Sequence, residues 1–202
     1  GAFFCNLDGF GAAHRCDEGG CGEAVCLAVD RAILTRPEAK RAFVRKMFDG
    51  IAGTYDLLNH VLSLGVDIVW RRWTVDGLGP EPGWRILDLA TGTGDLGFEA
   101  AGRSQEIEVV GADLSTQMLR RGVGKGRGRS DRMRFLCGDA ETLPFPDEIF
   151  DGITIGFGIR NVANLEAGLH EIFRVLKPGG RLAVLEFSRP RAVVFRGFYY
   201  FY

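Results

Sequence analysis

The sequence predicts a doubly wound α/β domain, with a mostly parallel sheet and covering helices ahead of its first strand. Three observations carry this. From residue 84 onward, short apolar runs alternate with helix-like stretches, the order that right-handed βαβ units require. The first run, Ile86-Leu87-Asp88-Leu89, breaks into a glycine turn, Ala90-Thr91-Gly92-Thr93-Gly94-Asp95, and then into a helix-forming stretch from Leu96 to Ala101. Acids stand at the carboxyl ends of the first three runs: Asp88, Asp113 and Asp139. In a doubly wound sheet, ligands bind at that end.

Residues 1 to 34 are rich in glycine and cysteine and lack sustained apolar periodicity, so they read as an extension outside the fold. The domain runs from 35 to 202. Four of the five cysteines, Cys5, Cys16, Cys21 and Cys26, lie in the extension, and only Cys137 lies in the body. A secreted disulfide scaffold would spread them through the fold, so the body reads as reduced and cytoplasmic. The four do not form the paired C-x-x-C knuckles of a zinc site, and no metal is expected. A net charge of −1 gives no global field to recruit nucleic acid. No apolar run approaches the roughly 20 residues of a membrane helix, and no signal peptide is recognisable.

Thr35-Arg36-Pro37-Glu38 announces the first helix: Thr35 can cap it, and Glu38 stands three residues on. Phe43, Val44, Met47, Phe48 and Ile51 recur at helical spacing, giving an amphipathic helix over about 36–50. Short helices follow at Tyr55 to Leu64 and Asp67 to Val75, the latter carrying Trp70 and Trp73, read as core packing against the sheet. Together these helices are expected to cover the carboxyl end of the sheet and shield a ligand from water. Strands are expected at 84–89, 107–112, 133–137, 151–156 and 181–187, and helices at 95–102, 115–121 and 164–176. The basic stretch Arg120 to Arg129 carries no aromatics to stack bases, so it reads as a glycine-rich surface loop and not a nucleic-acid contact.

Gly92 and Gly94 permit backbone angles and close approaches that a Cβ would block. The amides of their turn could seat a carboxylate or phosphate. Asp88 could hold a ligand's amino group, and Asp113 could accept both hydroxyl protons of a ribose. A nucleoside ligand follows. Blander readings stand beside these. The turn could merely connect strand to helix, Asp113 could cap the helix near Ser115, and Asp139 could be a turn residue. Gly92-Thr93-Gly94-Asp95-Leu96-Gly97 also fits G-x-G-x-x-G, which keeps a nicotinamide dinucleotide open.

Three stretches resemble class I S-adenosylmethionine-dependent methyltransferases: Asp88 to Asp95, Gly138-Asp139-Ala140-Glu141 with Leu143 to Asp147, and Arg174 to Gly180. Three more resemble the ubiquinone/menaquinone biosynthesis C-methyltransferases: Met47 to Asn59, Ile153 to Val162 with its Phe-Gly-Ile-Arg-Asn core, and Leu185-Glu186-Phe187-Ser188-Arg189-Pro190. The likeness runs from about residue 40 to the end. The cysteine-rich head has no counterpart in it. The tail stops at Tyr202 inside an aromatic run, where the family continues into an antiparallel hairpin, so the sequence reads as a fragment with an uncovered edge strand.

The resemblance implies methyl transfer from S-adenosylmethionine, without a metal, to a ring carbon of a prenylated quinol, demethylmenaquinol before a ubiquinone-pathway benzoquinol. It places cofactor contacts on Thr93, Asp113, Asp139 and Ala140, and leaves Gly156 where some members have a serine. Around the fourth strand's end, Arg160 and Asn161 are expected to stabilise the quinolate, with Tyr55 approaching from the covering helices. His60 is the titratable alternative base. A prenyl tail implies transient contact with the membrane surface, for which Phe195 to Tyr202 and the covering helices are candidates. A homodimer stays open. Two rival functions remain at this stage: a methyltransferase of another small molecule, or a cofactor-binding accessory subunit that transfers nothing.

Overall fold

The computed structural model describes residues 36–127 and 131–186, with the backbone alone for residues 58–60 and 62. The cysteine-rich head, Thr35, the side chain of His60, the end of the basic stretch and the aromatic tail lie outside the described residues.

The sheet holds β1 (Arg85–Leu89), β2 (Glu108–Asp113), β3 (Met133–Cys137), β4 (Phe150–Gly156) and β5 (Leu176–Leu185) in the order β3-β2-β1-β4-β5. Every pairing is parallel. The helices are α1 (Pro37–Ile51), α2 (Tyr55–Leu62), α3 (Val66–Leu78), α4 (Asp95–Ala101), α5 (Thr116–Gly126) and α6 (Leu165–Val175). β1 sits in the middle because its sequence suits burial on both faces. Ile86 packs on one side with Val75 and Leu78 of α3 and Ala100 of α4. Leu87 and Leu89 pack on the other with Ile153 and Ile155 of β4 and Ile172 and Val175 of α6. The direction of winding reverses between β1 and β4, so a crevice opens at their carboxyl ends.

Several elements depart from expectation, each for a local reason. α1 begins one residue later than a cap at Thr35 would place it, with Arg36 in extended conformation at the N-cap and no side-chain capping bond. Its apolar residues Phe43, Val44, Phe48 and Ile51 are only half-buried, and none of the helix reaches the core. Polar latches hold it: Lys40 donates to the Val162 carbonyl at 2.7 Å, and the Ser115 hydroxyl donates to Asp49 at 2.6 Å. α3 packs on the sheet face, with Arg71 alone lining a hollow of the site. Asp67, Val75 and Leu78 point inward from it, while Trp73, on the opposite side of the helix, is 66% exposed. The expected core role fails for Trp73; Trp70 meets Phe157 edge-to-face at 6.4 Å. The basic stretch is helical as far as Gly126, and Gly122 in it serves packing: a Cβ there would come within 2.5 Å of Phe135. β5 starts at Leu176, directly after α6, five residues before the apolar run, with a register shift between Phe150 and Gly152.

Candidate functional site at the carboxyl ends of β1 and β4

The chain leaves β1 through strained backbone. Ala90 takes φ 54°, a left-handed value uncommon for a residue with a Cβ, and Gly92 follows at φ 58°. Four of the amides around the turn are paired within the protein. Thr91 donates to Ala112, Gly94 to Thr91, Gly92 to the Asp113 carboxylate at 2.8 Å and Gly97 to Asp88 at 3.0 Å. Two of the turn's amides, those of Gly92 and Gly97, are therefore taken by the protein's own acids. Gly94 lines neither hollow of the site; its left-handed φ of 88° starts α4 with Phe135 pressed against it.

Asp88 is likewise committed to the turn. It is 1% exposed and accepts from the Thr91 hydroxyl, from the Thr154 hydroxyl at 2.7 Å and from the Gly97 amide. The expected contact with a ligand's amino group gives way to a structural one. Burial pushes its carboxyl up to about 6; the three donors oppose the rise and the charge of Asp113 adds to it. Because this lies above the unfolded value, the group's contribution to stability is whole below about pH 4 and is lost as pH rises through 6. Against Asp88→Asn, wild type should lose up to about 3 kcal/mol between pH 4 and 7, read by urea unfolding. A difference constant with pH would remove the assignment.

Two connected hollows open beyond the turn. The first, of about 730 Å³, lies between α1 and the ends of β1, β2 and β4. Leu114, Met118, Ala140 and Phe48 give it apolar walls, and Asp113 and Asp139 bring acids to it. Each Asp113 oxygen accepts one amide at 2.8 Å, from Gly92 or from Ser115, leaving acceptor capacity on both. Burial raises its carboxyl above the usual carboxylate range. The capping role falls to Ser115, which accepts from Met118. Asp139 is a turn residue as well as a wall: it accepts from the Glu141 amide at 3.0 Å and pairs with Arg41 at 3.1 Å.

The second hollow, of about 430 Å³, shares Tyr55, Ala90, Gly92, Gly156 and Phe157 with the first. Thr93 lies here, its hydroxyl donating to Asp56 at 2.6 Å and accepting from Lys125 at 3.0 Å. Hydrogen bonds from Thr93 and Lys125, with the charges of Lys125 and Arg71, outweigh burial and hold the Asp56 carboxyl low. Tyr55 stands between the hollows and meets Phe48 edge-to-face at 6.0 Å. A Cβ at Gly156 would reach Leu96 at 3.2 Å, so this position contributes backbone to both hollows.

After β4 the chain turns at Phe157, another left-handed non-glycine residue at φ 55°, into a 3₁₀ turn over Ile159–Asn161. Asn161 lines the first hollow, its amide donating to the Phe157 carbonyl at 3.4 Å. Arg160 does not line it. Its side chain is 52% exposed and bonded to Glu186 at 2.5 Å. The structure thus gathers Tyr55, Gly92, Asp113, Asp139, Ala140 and Asn161 around one space, and Arg160 is not among its walls.

A sequence model of the ubiE/COQ5 methyltransferase family matches residues 36–202. The chain belongs to that family. The ubiquinone/menaquinone biosynthesis C-methyltransferase UbiE of Geotalea daltonii is 48% identical over 162 residues, 79% of this chain and 69% of that protein. The demethylmenaquinone methyltransferase of Beutenbergia cavernae is 50% identical over 79% of this chain and 64% of its own length, and that of Thermus thermophilus 53% identical over 71% and 66%. The chain thus spans about two thirds of the relatives it matches. Among solved structures, the [4+2]-cyclase SpnF aligns with a TM-score of 0.58 at 30% identity, over 62% of this chain and 47% of its own. A SAM-dependent methyltransferase from Aquifex aeolicus aligns at 0.54 and 21% identity, over 61% and 66%, which speaks for the fold alone. Family membership settles the choice that G-x-G-x-x-G left open, in favour of the methyltransferase reading.

Sequence reading missed Arg41, Arg71, Lys125 and Glu186. Lys125 sat inside a stretch read as a solvated loop, yet it reaches Asp56 at 2.9 Å and Asp95 at 2.6 Å. A spacing signal existed for Arg71, four residues after Asp67 on one helical face. No local signal pointed to Arg41, whose partners Asp139 and Glu141 lie about a hundred residues away.

Proposed function

We propose that this protein transfers a methyl group from S-adenosylmethionine to a ring carbon of a prenylated quinol, with demethylmenaquinol as substrate. The observation that carries the reading is the first hollow, where apolar walls meet the carboxylates of Asp113 and Asp139 at the switch point of the sheet. A nucleoside fits such a space: the walls suit a flat base, and the remaining capacity of Asp113 suits ribose hydroxyls. When bound, S-adenosylmethionine supplies a methyl group already activated by its positive sulfur. The names of the relatives support the quinol.

The chain's own residues then have three tasks. α1 and Tyr55 cover the hollow and exclude water. Asn161 hydrogen-bonds one quinol oxygen. Arg160, paired with Glu186, brings its positive charge to the other oxygen as that becomes charged, and holds the water that takes the phenolic proton. The exposed apolar residues Leu57, Val61 and Leu64, on α2 and just after it, suit contact with the bilayer that carries the prenyl tail. Among the described residues no helix is long and apolar enough to cross a membrane.

The test pairs calorimetry with S-adenosylhomocysteine and turnover of labelled S-adenosylmethionine on a panel of quinols. Binding without turnover on any quinol, in the full-length protein, would favour an accessory subunit. Asp113→Ala should weaken S-adenosylhomocysteine about tenfold or more, the scale of losing a charge-assisted hydrogen bond in a buried setting. Unchanged affinity would remove Asp113 from the ribose site.

A further inference from the structure

We infer that Lys40 is a positioning residue for methyl transfer: from α1 it sets the turn after β4 that carries Arg160 and Asn161, and so ties the placing of the quinol to the helix that covers the cofactor. The inference rests on the proposed reaction and goes beyond it, since Lys40 itself lines neither hollow.

Between β4 and α6 the chain passes through left-handed Phe157 and the 3₁₀ turn Ile159–Asn161. Within this turn the Asn161 amide donates to the Gly158 carbonyl at 2.9 Å and the Val162 amide to that of Ile159 at 3.3 Å. The carbonyls on either side of Asn161 go to one side chain. The Lys40 ammonium donates to Val162 at 2.7 Å and to Arg160 at 3.3 Å. An ammonium brings three donors and a full charge, and it holds a carbonyl more firmly than a neutral donor does. Arg41, the next residue of α1, grips the far end of the same segment. It bonds Glu141 at 2.5 Å, whose other oxygen accepts from the amide of Asn164, the N-cap of α6, at 2.9 Å.

Both grips come from a helix whose stripe of Arg41, Val44, Arg45 and Phe48 walls the first hollow. No residue of α1 is buried in the core, so what lies against that stripe bears on where the helix rests. A nucleoside packed on Val44 and Phe48 steadies α1, and Lys40 passes this on to the turn that meets the quinol. Precision there matters, because misplacing a reacting group by about 1 Å can cost about 10²-fold in rate.

The competing view is that Lys40 merely fastens α1 to the domain. Lys40→Met separates the two, because it keeps the apolar stem and removes the donors, while Arg41 and Asp49 still latch the helix. In the full-length protein, kcat for labelled S-adenosylmethionine on demethylmenaquinol should fall about tenfold or more. S-adenosylhomocysteine affinity by calorimetry and the midpoint of urea unfolding should stay nearly unchanged. Lys40→Arg, which still donates to two carbonyls, should recover part of the rate. A loss of affinity and midpoint in step with the rate would show a fastening role and overturn the inference. So would a kcat equal to that of wild type. Wild type that turns over no quinol would instead overturn the proposed reaction, an outcome distinct from the other two.

Discussion

Replacing Arg160 with alanine is expected to slow methyl transfer by about 10²-fold or more, the scale of losing one partner of a developing oxyanion, with cofactor affinity nearly intact. The separation between rate and binding follows from position. Arg160 lies on the 3₁₀ turn beside Asn161, but its side chain is exposed and not in the wall of the first hollow. A cofactor in that hollow would lose little when Arg160 is truncated, whereas a quinol would lose its charged partner. Glu186 sharpens the expectation. At 2.5 Å it fixes the guanidinium in place. Arg160→Lys keeps the charge and loses the planar fork, so it should recover part of the rate and not all of it. Single-turnover measurements on labelled cofactor, with S-adenosylhomocysteine affinity read in parallel, decide the matter. Equal turnover in wild type and Arg160→Ala removes this residue from the mechanism; a parallel fall in affinity moves it to cofactor binding.

The parts of this molecule that sequence reading reached are those governed by short-range pattern. β1 is legible because Ile86, Leu87 and Leu89 make a run that only a central strand can bury, and the switch point follows from strand alternation alone. Asp113 and Asp139 are legible for the same reason, as acids placed where each strand ends. What escaped is pairing across the chain. Nothing near Gly92 announces that Asp113, 21 residues on, will take its amide, so an amide that looks open to an anion is taken by the protein itself. Nothing near Trp73 shows that α3 will turn its Asp67, Arg71 and Val75 face to the protein and leave the tryptophan in water. Helix periodicity gave α1 an apolar face, and the structure gives that face a different use: it walls a hollow while polar latches from Lys40 and Asp49 hold the helix in place.

Gly158 makes a second strong prediction, one in which the damage can be undone. The turn after β4 crosses the turn after β1 so closely that a Cβ on Gly158 would be driven into the Cβ of Ala90. Gly158 itself has φ −104°, which any residue tolerates, so the obstacle is space and not backbone angle. Ala90 cannot easily yield, being held at φ 54° between β1 and the glycine turn. Gly158→Ala should therefore cost about 1–3 kcal/mol of stability, the usual penalty of overpacking, and should also distort the hollow that both residues line. Removing the opposing methyl group ought to reverse this. In Gly158→Ala/Ala90→Gly the collision is gone, and glycine suits the left-handed angle at 90 without strain. The double variant should regain most of the lost stability and cofactor affinity, with a coupling of about 1–3 kcal/mol between the two sites in a double-mutant cycle. Additive losses by urea unfolding would mean that the turns after β1 and β4 do not meet as described, and the close approach that shapes the site would have to be redrawn.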